Sequence, residues 1–492
     1  MTEREKSNNR QGKSPMPSVS TKSGRSEALV NLVAEAAMAV EVDQGRLEEI
    51  KTLYMDLSRE EKPAFFSQLL ERVEVPRNEV VELAAEVESA SEESEAWHRL
   101  LIKMRSRLES PRWRLFRHFI RLPGGLPFLL GFRADVLQVQ HQEAVDLSAL
   151  DDDLVRLFES WFQPGFMFLH EITMDSPYRQ IEIIMNGDMV HPMTSLEEMG
   201  QRLGKDRRCF ALYHRAMPEE PIIFIEVALT GGMVHSIHDI IGKDAQNRND
   251  QTKKDTAVFY SINNAQNGLT GLGLGKMLVF QVVDFLKVEA PEIRNFCTLS
   301  PLPGFWRRYL RPILAGEATN FRMTRSGLPR FFDKRAKGLL EKQYAKQGGR
   351  EGAAFDEILL EVFSKRDWAK NELLRNSLVK PLERLGYFYL AEEKNRDGRP
   401  LDQVAGFHLS NGATFSQANV HFGANWSLMG IERSLSLMVN YLYSQHWWGQ
   451  LTQSVSRWGG WLPGLPLSWS ARRRTDNGLD WSGWVEGENR EV

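Results

Sequence analysis

Three places in the 492-residue chain carry residue types suited to chemistry. The first is "GLTGLGLGKM" (268–277), a glycine-rich stretch followed by a lysine and an apolar run. Such a loop lets backbone N–H groups and a helix N-terminus approach phosphate oxygens. It does not match the magnesium-nucleotide loop G-x-x-x-x-G-K-[ST]: Gly275-Lys276 fits, but Thr270 replaces the first glycine and Met277 replaces the metal-binding hydroxyl. The dinucleotide pattern G-x-G-x-x-G fails at Lys276. What remains is a strand–turn–helix cradle for a pyrophosphate, or a tight turn that holds nothing. The second place is "TLSPLPGF", where Ser300 ends a strand and Pro301 and Pro303 stiffen the backbone after it. A hydroxyl fixed in that way is positioned with little loss of entropy; the same residues also suit a plain strand terminator. No G-x-S-x-G surrounds Ser300, which argues against a hydrolase elbow. The third is "FHLSNGA", which reads as a strand with His408 facing opposite to Phe407 and Leu409. His408 is then either a reactive imidazole or a core histidine. His235 and His238 have a spacing that suits a metal, but no third ligand has suitable spacing, so they read as loop residues.

These groups need a frame. Residues 1–26 are polar and read as a disordered tail. Residues 27–160 read as helix after helix, with Ser58 and Glu61 as a capping box before "REEKPAFFSQLLERV". Strands are expected at 166–174, 208–217, 221–231, 256–266 and 295–305, with "PEEP" turning the hairpin between the second and third. Thr194 and Glu197 read as a second capping box. The glycine loop opens an amphipathic helix over 276–290, with Leu278, Val282, Val283 and Leu286 on one face. Residues 306–395 read as a helical insertion, and 402–415 return to strand and loop. The middle and later regions therefore make an α/β or α+β domain, 165–446, followed by a Trp/Arg-rich extension, 447–492.

Bulk composition is that of a globular protein, with 42% apolar and 26% charged residues. A net charge of −3 gives no sign of a nucleic-acid binder. Two cysteines, Cys209 and Cys297, cannot build a disulfide framework and fit a reducing compartment. The N-terminal stretch has no apolar core of the kind a secretory signal needs. The apolar patch at 122–132 is about half the ~20 residues that a membrane helix needs. A cytoplasmic protein without a transmembrane segment is expected.

Taken together, "VHPMTSLEEMGQRLG", "RRCFALYHRA", "VALTGGM", "FYSINNAQNGLTGLGLG", "LSPLPGF", "FHLSNGA" and "SLSLMVNYLY" resemble, in order, the malonyl-CoA decarboxylase family. The resemblance runs over about 30–445 and is densest over 190–305 and 380–445. It implies an N-terminal helical bundle, then an acetyltransferase-like (GNAT-fold) catalytic domain. It also implies a homo-oligomer (dimer or tetramer) formed through the helical domains. The implied reaction converts malonyl-CoA to acetyl-CoA and CO2, with no metal or organic cofactor. By motif, the catalytic pair falls on Ser300 and His408. The malonyl-CoA loop falls on Thr270, Gly271, Leu272, Gly273, Leu274, Gly275 and Lys276. Where some relatives carry glutamate in this loop, the chain has Gly273. The chain ends in Glu491-Val492 rather than the Ser-Lys-Leu address of some relatives. Loss of CO2 leaves a carbanion whose electron sink is the thioester carbonyl. A serine–histidine relay with an imidazole near its ordinary pKa of ~6.5 would then return the proton. The rival expectations are an acyl-CoA N-acyltransferase of the same fold, and an inactive coenzyme A-binding scaffold.

Overall fold

The computed structural model describes residues 22–39, 41–89, 95–143, 145–241 and 253–443. The extension 447–492 and residues 1–21 of the tail lie outside them. The chain divides into two compact units, one of residues 1–162 with 267–272, the other of 163–266 with 273–492. The first half of the glycine loop thus groups with the helices, although its sequence neighbours belong to the sheet unit.

Among its described residues the first unit has helices and no strand. Its first helix, Lys22–Met38, starts inside the stretch read as a disordered tail. Asp43 caps the next, Gln44–Met55, by accepting from the Arg46 N–H. The Ser58–Glu61 capping box is half made: the Glu61 carboxylate accepts from the Ser58 N–H at 2.8 Å, while the Ser58 hydroxyl has no partner. The core is aromatic, with Tyr54 4.8 Å and Phe66 5.3 Å, between ring centres, from Phe132 of helix Gly125–Glu143. From that helix Arg133 donates to the carbonyls of Gly268 and Thr270 at 2.6 and 2.9 Å, and Asp151 pairs with it at 2.7 Å. Among the described residues no helix is long and apolar enough to cross a membrane.

The second unit is built on a six-stranded sheet: β1 (Met167–Ile172), β2 (Arg207–His214), β3 (Met217–Thr230), β4 (Thr256–Asn264), β5 (Asn295–Thr298) and β9 (Leu442–Tyr443). The first four strands run antiparallel; β4 and β5 are parallel. Parallel neighbours need a crossover, and helix Leu274–Glu289 supplies it. Its Leu278, Val282, Val283 and Leu286 are buried, as the amphipathic pattern requires. The hairpin turns at Arg215-Ala216, not at "PEEP", which lies within β3. Pro221 is tolerated because the β2–β3 register shifts around Leu212 and Tyr213. The second N-cap is Ser195, one residue beyond Thr194, and Glu198 rather than Glu197 closes back onto the Thr194 N–H.

A buried polar group pins one sheet face. Asp188 accepts from the Ser261 hydroxyl (2.8 Å), the Asn263 amide (3.0 Å) and the backbone N–H of His191 (3.0 Å), and pairs with Arg202 at 2.9 Å. Burial alone would raise its pKa, but these donors hold it below the usual range. Glu226, buried beside it, is pushed well above the carboxylate range by burial and by the Asp188 charge.

A three-stranded sheet, β6 (Ser300–Pro301), β8 (Met438–Val439) and β7 (Val420–His421), lies next in the chain's path. The expected strand 295–305 is therefore two strands broken at Leu299. Residues 305–391 are mainly helical, opening with a π-helical turn at Phe305–Leu310.

Candidate active site

Two chain segments change sheets side by side. One leaves β5 at Leu299 and enters β6 at Ser300; the other leaves β8 after Val439 and enters β9 at Leu442. They are tied at the crossing. The Thr298 N–H donates to the Tyr441 carbonyl at 2.9 Å, and the Tyr441 N–H donates to Thr298 Oγ1 at 3.2 Å. Asn440, fully buried, donates from Nδ2 to the Thr298 carbonyl at 2.6 Å and to the Val234 carbonyl at 3.1 Å. Ser300 is thus fixed by the crossing as well as by the prolines.

His408 is not on a strand. It sits in the last turn of an eight-residue helix, Gln403–Ser410, whose N-cap Asp402 accepts from the Ala405 N–H at 2.9 Å. Asn411-Gly412 ends the helix, with Gly412 at φ 80°. The Phe407 ring packs where a Cβ on Gly275 would stand, 2.7 Å from its Cζ. That glycine therefore lets the helix that carries His408 approach the start of helix Leu274–Glu289. Gly273 caps the latter helix at φ 69°, with open space around the Cβ direction.

The structure brings Ser300 and His408 together: Oγ lies 3.2 Å from Nε2. Ser300 Oγ also donates to Thr298 Oγ1 at 3.0 Å, and the Tyr443 hydroxyl lies 2.9 Å from His408 Nδ1. These contacts fit one direction of donation. Because the serine proton goes to Thr298, Nε2 carries the hydrogen that reaches Ser300. Nδ1 then accepts from Tyr443. The His408 ring stacks on Tyr441 at 4.6 Å. Burial pushes the His408 imidazole down to about 3, so it is neutral at pH 7. This corrects the expectation of an ordinary pKa. Thr298, Tyr443 and Asn440 were missed as site residues. One signal was present: Thr298 and Ser300, like Tyr441 and Tyr443, are spaced by two, as same-face residues of an extended chain must be.

His235 and His238 have structural partners. The His235 ring stacks on His421 at 4.2 Å, and His238 Nε2 accepts from the Trp426 N–H at 2.9 Å. Among the described residues no group of three or more His, Cys, Asp or Glu side chains converges as a metal site. Cys209 and Cys297 are both buried and free.

The antiparallel run, the parallel crossover pair and the glycine turn before the crossover helix define an acetyltransferase-like catalytic fold. The model of the malonyl-CoA decarboxylase C-terminal domain matches residues 165–448, and that of the N-terminal domain matches 73–162. The chain is 35% identical over 373 residues to the mitochondrial malonyl-CoA decarboxylase of Anser anser anser, covering 74% of this chain and 70% of that protein. It is 36% identical over 338 residues to the Rattus norvegicus enzyme, covering 68% of this chain and 65% of that protein. The crystal structure of malonyl-CoA decarboxylase from Rhodopseudomonas palustris superposes with a TM-score of 0.68 at 28% identity, covering 88% of this chain and 97% of that one. The chain belongs to the malonyl-CoA decarboxylase family. It spans about two thirds of the length of the curated relatives it matches.

Proposed function

We propose that the chain decarboxylates malonyl-CoA to acetyl-CoA and CO2, with Ser300, His408 and Tyr443 as its proton relay. The observation that carries this is the buried contact of 3.2 Å between Ser300 Oγ and His408 Nε2. Breaking the bond to the carboxylate leaves an electron pair on the α-carbon, delocalised into the thioester carbonyl. Ser300 gives its proton to that carbon and is refilled from His408 Nε2–H. Nδ1 in turn takes the Tyr443 proton, and the one proton that the overall reaction consumes is taken up from solvent by Tyr443 on product release. The imidazole is never required to start as a cation, which agrees with its lowered pKa. An order of transfer through hydrogen-bonded neighbours is typical of positioned acid–base groups, worth ~10²–10⁴-fold in rate.

The substrate loop Thr270–Lys276 belongs to the same proposal, supported by its glycine pattern and by the unpaired N–H groups that begin any helix. So does a homo-oligomer, supported by the exposed Val80, Val81 and Ile102 on helices Arg77–Ser89 and Glu95–Arg107. Light scattering that finds only monomer removes it. A cytoplasmic location is supported by two buried free cysteines, which suit a reducing compartment.

The purified chain is incubated with malonyl-CoA alone. Equal amounts of CO2 and acetyl-CoA are expected, with Ser300→Ala at least ~10²-fold slower. Turnover only with an added amine would assign the chain to acyl transfer instead. Binding without any product would make it a scaffold.

A further inference from the structure

A cavity of about 570 Å³ opens just beyond the Ser300 motif and takes no part in the relay. Its walls include Gly304, Arg307, Arg308, Asp402, Gln403 and Arg433. The arginines outnumber the carboxylate three to one in this lining. Asp402 is 1% exposed, caps its helix and accepts from the Tyr389 hydroxyl at 3.2 Å, so its oxygens are occupied. Arg307 lies 3.3 Å from Glu432, which also pairs with Arg366. Arg308 and Arg433 have no carboxylate partner among the described residues. Gly304 keeps the wall low: a Cβ there would meet the Tyr389 hydroxyl at 2.7 Å.

Two guanidinium groups without counter-ions, beside a third that shares one, call for an anionic ligand. Their planar forks match phosphate oxygens in pairs. The cavity lies at the N-terminal end of helix Gln403–Ser410, and His408 lies near its C-terminal end, roughly 8 Å along the axis at 1.5 Å per residue. The departing carboxylate must reach Ser300, so it is not the group this cavity suits. Coenzyme A carries a phosphate monoester on its ribose, at the opposite end of the molecule from the thioester.

We propose that this cavity receives the 3′-phosphate of the coenzyme A substrate, a reading that rests on the function proposed above. The test compares malonyl-CoA with its 3′-dephospho form on wild type, Arg308→Gln, Arg433→Gln and the double variant. In wild type, removing the phosphate is expected to raise KM by ~10-fold or more with kcat little changed, the loss expected for charge-assisted hydrogen bonds. In the double variant the two substrates should have nearly equal KM. Its parameters on the dephospho form should match wild type, which also shows that it folds. Discrimination that survives both substitutions, or its absence in wild type, overturns the proposal. Equilibrium binding of adenosine 3′,5′-bisphosphate supplies a readout that needs no turnover. Binding should compete with malonyl-CoA and weaken in the double variant. Binding that does not compete would make the cavity a separate anion site and overturn the proposal. Failure of the functional reading looks different: no CO2 from either substrate with wild type.

Discussion

Replacing His408 by asparagine should change how stability depends on pH, and the size of that change follows from the site. The imidazole is 3% exposed and lies against the Tyr441 ring, with Ser300 and Tyr443 at its two nitrogens. Burial lowers its folded pKa to about 3, against an unfolded value of 6.5. Above pH 6.5 the ring is neutral in both states and adds nothing to the slope. Between 6.5 and about 3 the unfolded chain binds a proton that the folded chain does not. Stability is therefore lost as pH falls through this window, at up to ~1.4 kcal/mol per pH unit, and the loss levels off below it. At pH 5 the window has been crossed for about 1.5 units, a loss of ~2 kcal/mol relative to pH 8. Asp402 and Glu226, raised by burial, titrate with the opposite sign, but they are present in both proteins and cancel in the difference. Urea unfolding of wild type and His408→Asn at pH 8 and pH 5, followed by circular dichroism, should show the variant gaining ~2 kcal/mol on wild type at the lower pH. A gap that stays constant would mean that His408 titrates near its ordinary value in the folded chain. Burial would then not hold the ring neutral below pH 6.5, and the relay would start from a cation there.

Tyr443→Phe keeps the ring but removes the hydroxyl 2.9 Å from His408 Nδ1, and should lower kcat by ~10-fold or more with KM little changed; unchanged kcat would remove Tyr443 from the relay. Gly275→Ala places a methyl 2.7 Å from the Phe407 ring, next to His408, and should destabilise the chain by ~1–3 kcal/mol and slow turnover. A thermal melt and a CO2 assay check both. Gly273→Glu meets open space but holds a side chain at φ 69°, so it should fold with a loss of ~1–2 kcal/mol, measured by urea unfolding; a much larger loss would mean that the loop clashes with the new side chain. Arg202→Ala strands the buried Asp188 and should cost ~3–5 kcal/mol, whereas Glu226→Gln, replacing a carboxyl that burial keeps protonated, should cost under ~1 kcal/mol. Equal losses in urea unfolding would mean that Glu226 is ionised.

What the sequence made legible was mostly what local pattern controls. The helix after the glycine loop was readable because Leu278, Val282 and Leu286 repeat at helical spacing, and burial follows that repeat. The strand around Thr256–Asn264 was readable from its aromatic and β-branched run. The helix bearing His408 reads as a strand in the sequence, although its ends are marked. Asp402 is an N-cap residue and Asn411-Gly412 a stop signal, and the buried Ala405 and His408 are three apart. With only eight residues, its apolar run of Val404, Phe407 and Leu409 left helix and strand hard to separate. In the sequence the glycines of the loop read as one phosphate cradle. In the structure they have different duties, Gly273 providing a left-handed cap and Gly275 a close approach for Phe407. That distinction depends on a residue 132 positions away along the chain, which no local pattern contains.

The site's chemistry depends on a tertiary feature that no motif spells out. A serine hydroxyl is a weak acid, and a buried imidazole at about 3 is a poor source of a cationic proton. Neither is useful alone at pH 7. In the proposed relay they become useful when every donor in the chain from Tyr443 to Thr298 points the same way, because a proton taken from Ser300 is replaced along the chain and the charge passes to Tyr443 instead of staying on Ser300. Holding that direction requires Thr298 and Tyr441 to stay in register while both segments leave one sheet for another. The backbone tie at 2.9 Å and the Tyr441 N–H bond to the Thr298 hydroxyl at 3.2 Å set the register. Asn440 sets its depth, since His421 Nε2 donates to Oδ1 at 2.7 Å and leaves Nδ2 aimed at the Thr298 carbonyl. If the proposed relay operates, the crossing is the element that makes a serine and a neutral histidine into a proton source, and the prolines after Ser300 only complete it.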